Sequence, residues 1–571
     1  MPTLPSTNAA ATQRNAAQAL VATLAAHGVD RVFCVPGESF LAVLDSLYET
    51  PAIDCVACRH EGGAGMMALA DAKLTGRPGV VLVSRGPGAT NVSIAIHVAE
   101  QDAVPLVVFV GQVERKDIGR GAFQEVDYKK SLGGMCKGVW EVADGSQLAA
   151  VCAKAFSRAQ RGVPGPVLIS LPEDMQFDAA EGPSPPLPAA RRRAPPADAI
   201  ARTLALLEEA ERPLMILGGA FPAGQNENNS RLAVRVAEAL AVPVAAGWKN
   251  QHRFPNAHPH YAGHLGYNIP AVHLELLSPA DLLIAVGTRL GDVTSQGYRF
   301  PAAPPSDNGA QQRLVHVYPA AEALSRVYRP QLAVQSDCGR FLEALLKRAP
   351  GRAPSPGRAA ARHNWIARLH GYAAGQAHWN GEEAADGVVF GALTSALNGL
   401  LPEDAIIVQD GGNHSSWVHR YYSFRGGETL LAASAGAMGF GVPGAVAASL
   451  RHPGRRVVCI LGDGGLLMTG NELATAVQHG ATPLIIVSNN HSYGTIRQHQ
   501  EKHYPGRVKA TGLNNPDLLR WGEAFGVPSF RIERQQQVEA VLKEALAVKG
   551  PAFVEVKTSL RHISAFATLP D

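Results

Sequence analysis

The stretch that most constrains this chain is 456–494. An apolar run at 457–461 predicts a short buried strand, and Gly462-Asp463-Gly464 turns the chain directly after it. Leu466, Leu467, Leu473, Ala474 and Val477 then recur at helical spacing, His479-Gly480 closes the helix, and a second apolar run at 483–487 ends in Asn489-Asn490. Strand, helix, strand within about 35 residues is a βαβ unit, and two strands so joined must lie parallel. Both polar clusters therefore fall at the carboxyl ends of parallel strands, where open α/β sheets bind ligands. Gly462 and Gly464 let backbone approach a phosphate, and they flank one carboxylate, Asp463. An Asp and an Asn amide oxygen beside a diphosphate suit Mg²⁺, which takes few protein oxygens and completes its octahedron with phosphate and water. Each cluster alone is an ordinary turn. Their pairing, with 24 residues (465–488) between, is far more specific.

The rest of the chain repeats the same grammar. Helix 13–27 stops at Gly28, and strand 32–35 runs into Pro36-Gly37-Glu38-Ser39. Strand 53–58 leads to Arg59-His60-Glu61-Gly62-Gly63-Ala64-Gly65, and strand 79–84 to Gly86-Pro87-Gly88-Ala89-Thr90-Asn91; strands at 106–110 and 166–170 follow. A Pro- and Arg-rich linker at 181–196 separates this block from a second, whose strands at 214–217, 243–245, 282–286 and 314–317 end in Gly218-Gly219, Gly247-Trp248, Gly287-Thr288 and Tyr318-Pro319. After another linker at 349–360, strand 405–409 meets Asp410-Gly411-Gly412-Asn413-His414, and the βαβ unit of 456–494 follows. The expectation is α/β: three doubly wound parallel-sheet domains, at 13–180, 197–346 and 362–571. A chain of 571 residues is too long for one core, which agrees.

Composition excludes other classes. Net charge is 52 − 49 = +3 with no basic stripe, so nucleic acid is not an expected partner. No apolar run approaches the roughly 18 residues of a membrane span, and 1–12 has no signal-peptide pattern; it is expected to be a frayed tail. Seven irregularly spaced cysteines point to a reduced, cytoplasmic protein. Cys55-Val56-Ala57-Cys58 has no companion pair, which favours a structural role buried in a strand.

Taken together, these motifs resemble the thiamine diphosphate-dependent enzymes. Gly-Asp-Gly…Asn-Asn is similar to their metal motif. Arg59-His60-Glu61-x-Gly-Ala-Gly, Ser84–Asn91, Gly121-Ala122-Phe123-Gln124-Glu125-x-Asp127 and Met438-Gly439-Phe440-Gly441-Val442-Pro443 resemble the acetolactate synthase branch. The resemblance spans nearly the whole chain. It implies thiamine diphosphate and Mg²⁺ as cofactors, with Asp463, Asn490 and the Ser492 carbonyl on the metal. Gly462, Gly464, Gly465, Asn413, His414, Tyr493 and Gly494 are implied around the diphosphate end, and Gly436 and Met438 against the pyrimidine. It implies that Glu61 hydrogen-bonds N1′ of the aminopyrimidine. From composition alone, Glu61 would be a surface carboxylate at a helix start, or a poorly hydrated one in its Ala/Gly-rich loop. Gly37, Phe123, Gln124 and Lys137 align with substrate positions, where an amide and a cation would suit a 2-keto acid carboxylate. The implied chemistry is 2-keto acid decarboxylation with carboligation, pyruvate the simplest donor. Non-ligating decarboxylation, acyl transfer and a non-catalytic cofactor-binding role stay open. A homodimer or homotetramer is also implied.

Two segments depart from the pattern. The FAD-binding signature of the branch is replaced by Arg289-Leu290-Gly291-Asp292-Val293, and its later acidic position by Tyr318, which puts FAD in doubt. The segment 496–507 is richer in His and charge than the corresponding substrate-channel helix, so the acceptor need not be a second pyruvate.

Overall fold

The computed structural model describes residues 14–186, 192–302, 312–350 and 355–570. The expected tail, residue 13 at the first domain's start, parts of both linkers and Asp571 lie outside them. The described residues form three six-stranded sheets, every pairing within them parallel. The first orders its strands Asp54–Ala57, Arg31–Cys34, Gly79–Val83, Leu106–Gln112, Pro166–Pro172, Val139–Glu141. The second runs Leu332–Gln335, Arg313–Tyr318, Leu282–Val286, Pro213–Leu217, Val244–Ala246, Tyr261–His264. The third runs Thr429–Ala432, Ile406–Gln409, Val457–Gly462, Leu484–Asn489, Ala552–Lys557, Ser529–Ile532. The first sheet belongs to one compact unit (1–72 and 77–190), the other two to a second (73–76 and 191–571).

Central strands such as Leu106–Gln112 and Leu484–Asn489 are buried along their whole length because helices cover both faces, which is why they are continuous apolar runs rather than alternating ones. Six strands escaped the sequence reading. Five of them (Val139–Glu141, Tyr261–His264, Leu332–Gln335, Thr429–Ala432, Ser529–Ile532) lie at sheet edges, short and paired on one side only. The sixth, Ala552–Lys557, is interior, but its apolar run is broken by the fully buried Glu555.

Local chemistry explains the element ends. Asn15 and Gln18 form a reciprocal capping box on helix Ala16–Ala26. The helical run after Gly462 is two helices, Asp463–Thr469 and Leu473–His479, split by a tight turn at Gly470–Glu472. Gly470 lies so close to Trp521 that a Cβ there would fall 2.7 Å from the indole ring. Gly480, at φ +70°, ends the second helix in the left-handed region. All seven cysteines are free thiols. Cys55 is half-buried with its Sγ 3.6 Å from Cys34, whereas buried Cys58 packs on Met67, so the Cys-x-x-Cys residues face different neighbours.

Candidate active site

In the third sheet, strand Val457–Gly462 delivers Asp463 as the first residue of the following helix, rather than as the middle of a free turn. Asp463 is 2% exposed, and burial pushes its carboxyl above the usual range. A buried carboxylate needs a compensating donor or cation. Asn515 provides one donor: its Nδ2 reaches Asp463 Oδ2 at 2.7 Å and Asn489 Oδ1 at 3.0 Å. Asn489 in turn donates to Glu555 Oε1 at 2.6 Å, and Glu555 is held by Arg531 and Lys557. A polar chain thus anchors Asp463 through three elements.

The next strand ends in a tight turn beside it. Asn490 Oδ1 accepts from the Ser492 N–H at 3.1 Å, and His491 takes φ +54°. The Ser492 carbonyl accepts from Gly494 N–H at 2.8 Å, while Ser492 Oγ and Tyr493 N–H both bond the Thr511 carbonyl. Tyr493 then packs its ring on Gly464, where a Cβ would fall 2.5 Å from Cε1. A Cβ on Gly465 would fall 2.4 Å from Asp410 Oδ2. These glycines are required by side chains packed on their backbone.

Asp410 and His414 form the floor from the neighbouring strand Ile406–Gln409. Asp410 is fully buried and accepts backbone N–H groups from Gly411 (2.8 Å), Gly439 (3.0 Å) and Phe440 (3.1 Å), fixing the 436–440 loop that carries Gly436 and half-buried Met438. His414 opens helix His414–Tyr421, so it is not the capping residue; Asn413 is. Burial pulls the His414 pKa down to about 3, which keeps the ring neutral. Its Nδ1 lies 3.2 Å from where a Gly462 Cβ would be, and its buried Nε2 has no hydrogen-bond partner among the described residues. Asn413 donates to Gln498 Oε1 at 2.7 Å and accepts from Thr495 Oγ1 at 3.0 Å, tying this floor to helix Gly494–His503.

In the first unit, the carboxyl edge of the sheet gathers a second cluster. Glu61 opens helix Glu61–Thr75 instead of lying in a loop, is half-buried, and accepts from Asn91 Nδ2 at 2.9 Å. Gly37 lies against Ser84, where a Cβ would fall 2.7 Å from the serine Cβ. Gln124 stands at φ +64° with its carbonyl on the Gly86 N–H at 3.1 Å, and the preceding Phe123 is 76% exposed. Lys137 is a correction. It precedes strand Val139–Glu141, which enters parallel to Pro166–Pro172, and so sits at the opposite, amino edge of the sheet. Its N–H bonds the Pro166 carbonyl, and its ammonium caps the carbonyls of Arg161 and Val163. Its ammonium is thus engaged at the amino edge, away from the carboxyl-edge cluster of this sheet.

Sequence reasoning overlooked Asn515, Asp410, Asn489 and Gln498 as site residues. Asp410 and Asn489 were signalled by their places at strand ends. Asn515 and Gln498 reach the site through tertiary packing that spacing does not encode.

The third-sheet cluster is suited to a metal-bound diphosphate. It offers a buried carboxylate with a raised pKa, an orphaned imidazole nitrogen and a backbone cradle with no room for side chains. Residues 14–131, 200–345 and 410–556 match, respectively, the N-terminal TPP binding domain, the central domain and the C-terminal TPP binding domain of the thiamine pyrophosphate enzymes. The chain is 33% identical to the acetolactate synthase large subunit of Parasynechococcus marenigrum, covering 95% of this chain and 87% of that protein. It is 31% identical to the acetolactate synthase isozyme 2 large subunit of Escherichia coli, with 95% of each covered. The chain belongs to the acetolactate synthase family of thiamine pyrophosphate enzymes. The yeast mitochondrial acetolactate synthase catalytic subunit is a more distant member at 30%, covering 93% of this chain and 78% of that one. In the central sheet, the residue closing strand Arg313–Tyr318 is the buried Tyr318. No helix among the described residues is long and apolar enough to cross a membrane.

Proposed function

We propose that this acetolactate synthase-family enzyme uses thiamine diphosphate and Mg²⁺ to decarboxylate a 2-keto acid, most simply pyruvate, and to ligate the remaining acyl carbon to a carbonyl acceptor. The observation that carries the reading is the buried Asp463 carboxylate, held by Asn515 at the end of its strand and beside the Asn490 turn. Asp463, the Asn490 amide and the Ser492 carbonyl would hold Mg²⁺. Backbone N–H groups of Gly464 and Gly465, with Asn413 and His414, would bind the diphosphate. Gly462 gives the His414 ring its place, and Tyr493 and Gly494 wall the metal side. Gly436 and Met438 would meet the pyrimidine. When bound, thiamine diphosphate supplies the electron sink for loss of CO₂.

Glu61 would exchange a proton with the pyrimidine ring. Asn91, which donates to its carboxylate, orients it. Gly37, Phe123 and Gln124 line the substrate side. FAD stays open in this reading: Tyr318 stands where the resemblance implies an acidic residue, while Arg289 and the Gly-rich strand ends of the central sheet remain. The reading includes domains at 13–180, 197–346 and 362–571, a cytoplasmic homodimer or homotetramer, and no nucleic-acid partner.

The test is one incubation of purified protein with thiamine diphosphate, Mg²⁺ and pyruvate, scoring CO₂, acetolactate and acetaldehyde together. Acetolactate in step with CO₂ is the expected outcome. Acetaldehyde in its place makes the protein a non-ligating decarboxylase. Bound cofactor without CO₂ excludes pyruvate as donor.

A further inference from the structure

The central sheet reaches the loop that carries Gly436 and Met438. Its strand Val244–Ala246 runs into Gly247-Trp248-Lys249-Asn250, a turn closed by the Asn250 N–H on the Gly247 carbonyl at 3.0 Å. Lys249 takes φ +57° there, a left-handed conformation that favours Gly or Asn. It is also only 5% exposed, an uncommon place for a lysine. Strained backbone and a buried ammonium both cost stability, so the neighbourhood must hold this residue in place. Much of that hold lies in the turn. Trp248 N–H donates to Thr294 Oγ1 at 3.2 Å, and the Trp248 carbonyl accepts from Asn250 Nδ2 at 2.7 Å. The indole stands edge-on to His419, 5.1 Å away.

Both side chains then reach across to the third sheet. Lys249 Nζ donates to the Ala433 carbonyl at 3.0 Å, and Trp248 Nε1 donates to the Ser434 carbonyl at 3.0 Å. These are the first two residues after strand Thr429–Ala432. The Ala433 carbonyl also accepts the Gly436 N–H at 3.2 Å, closing a turn in which Gly436 takes φ +76°. At the other end of the loop, Asp410 holds the N–H groups of Gly439 and Phe440. Burial raises the Asp410 pKa; its backbone donors and the charge of Lys249 oppose that rise. Lys249 therefore serves both clamps. Between them, Ala435 and Gly436 are exposed. A loop pinned at both ends presents its middle in one conformation, which spares a ligand the cost of ordering it.

We propose that Trp248 and Lys249 are positioning residues: from the central sheet they set the 433–438 loop that clasps the aminopyrimidine of thiamine diphosphate. They act through the Ala433 and Ser434 carbonyls rather than as contacts of the cofactor. The inference rests on the cofactor reading above, and its test separates the two.

Calorimetry in Mg²⁺ compares two ligands: thiamine diphosphate, and inorganic pyrophosphate, which has no pyrimidine. Trp248→Phe keeps an aromatic ring, loses the N–H and changes no charge. It should weaken thiamine diphosphate by about three- to tenfold, the scale of one neutral hydrogen bond, and leave pyrophosphate at the wild-type affinity. Lys249→Met also removes a cation that acts on His414. Its loss should be greater for thiamine diphosphate than for pyrophosphate, by about tenfold or more, the scale of a charged hydrogen bond. Both donors hold one turn, so the double variant should lose less than the product of the two. Should Lys249→Met fail to fold, Trp248→Phe decides alone. Unchanged thiamine diphosphate affinity in Trp248→Phe, or equal losses of the two ligands in either variant, overturns the proposal. Wild-type protein that binds neither ligand would sink the cofactor reading itself, and this inference with it.

Discussion

Asn515 donates its side-chain amide to Asp463 across 52 residues of sequence, at 2.7 Å. The same nitrogen touches Asn489, so a single side chain sets the position of the carboxylate proposed for the metal and of the strand end next to it. Residues that orient a metal ligand in this way usually contribute 10–100-fold to affinity. Asn515→Ala should therefore weaken Mg²⁺ binding by about 10–100-fold, leaving the fold intact. A Mg²⁺ titration in saturating thiamine diphosphate, followed by tryptophan fluorescence, measures this. An unchanged midpoint would mean that Asp463 is positioned without the bridge.

Glu61 is the second target. It stands in the first unit, where Asn91 donates to its carboxylate at the helix start. Glu61→Gln keeps the size and the hydrogen bonding but cannot exchange a proton. Turnover should fall by about 10²–10⁴-fold, the range for a positioned acid–base group, with bound cofactor unchanged by mass measurement. Loss of cofactor together with turnover would assign Glu61 to binding rather than proton exchange.

The order of these residues was legible in the sequence because each lies at a strand end. Gly462-Asp463-Gly464 and Asn489-Asn490 closed apolar runs whose burial is set by parallel pairing, and the three sheets followed from the same repeat. The edge strands were not legible, since one-sided pairing leaves them short and weakly apolar. Lys137 was misplaced for a related reason: the unrecognised edge strand Val139–Glu141 fixes which end of the sheet it enters. Asn515 was invisible because a loop amide carries no periodicity, and only the folded neighbourhood of Asp463 gives it a partner. The close approaches at the glycines are to side chains of this protein: His414 on Gly462, Tyr493 on Gly464 and Asp410 on Gly465.

His414 carries a pH signature. Burial depresses its pKa to about 3, so the unfolded chain, at 6.5, takes up the proton first. Its contribution to stability is present above pH 6.5 and is lost as pH falls toward 3. Cofactor affinity should therefore show no His414 ionisation between pH 6.5 and 8. His414→Leu should weaken thiamine diphosphate binding by about tenfold or more, the scale of a hydrogen bond to a charged group. Calorimetry across that pH range checks both. An inflection near 6.5 that vanishes in the variant would contradict the buried neutral ring.

Glu555 offers the corresponding test at the far end of the Asp463 chain. Burial alone would raise its carboxyl pKa, but Lys557, Asn489 and Arg531 together outweigh burial and hold it below the usual 4.5. A depressed carboxyl stabilises the fold above the unfolded value, and that contribution disappears as pH drops through the folded one. Glu555→Gln removes the charge while leaving Arg531 and Lys557 in place. It should lower stability at pH 7 by about 1.5–3 kcal/mol and flatten the loss of stability below pH 4.5. Because the neutral amide is a weaker acceptor for Asn489 than the carboxylate, the variant should also weaken Mg²⁺ binding in the direction of Asn515→Ala, and the double variant should be less than additive. Thermal unfolding from pH 7 down to 3.5, paired with Mg²⁺ titrations of both single variants and the double, separates the two effects. Fully additive losses would show that Glu555 stabilises the sheet without positioning Asp463.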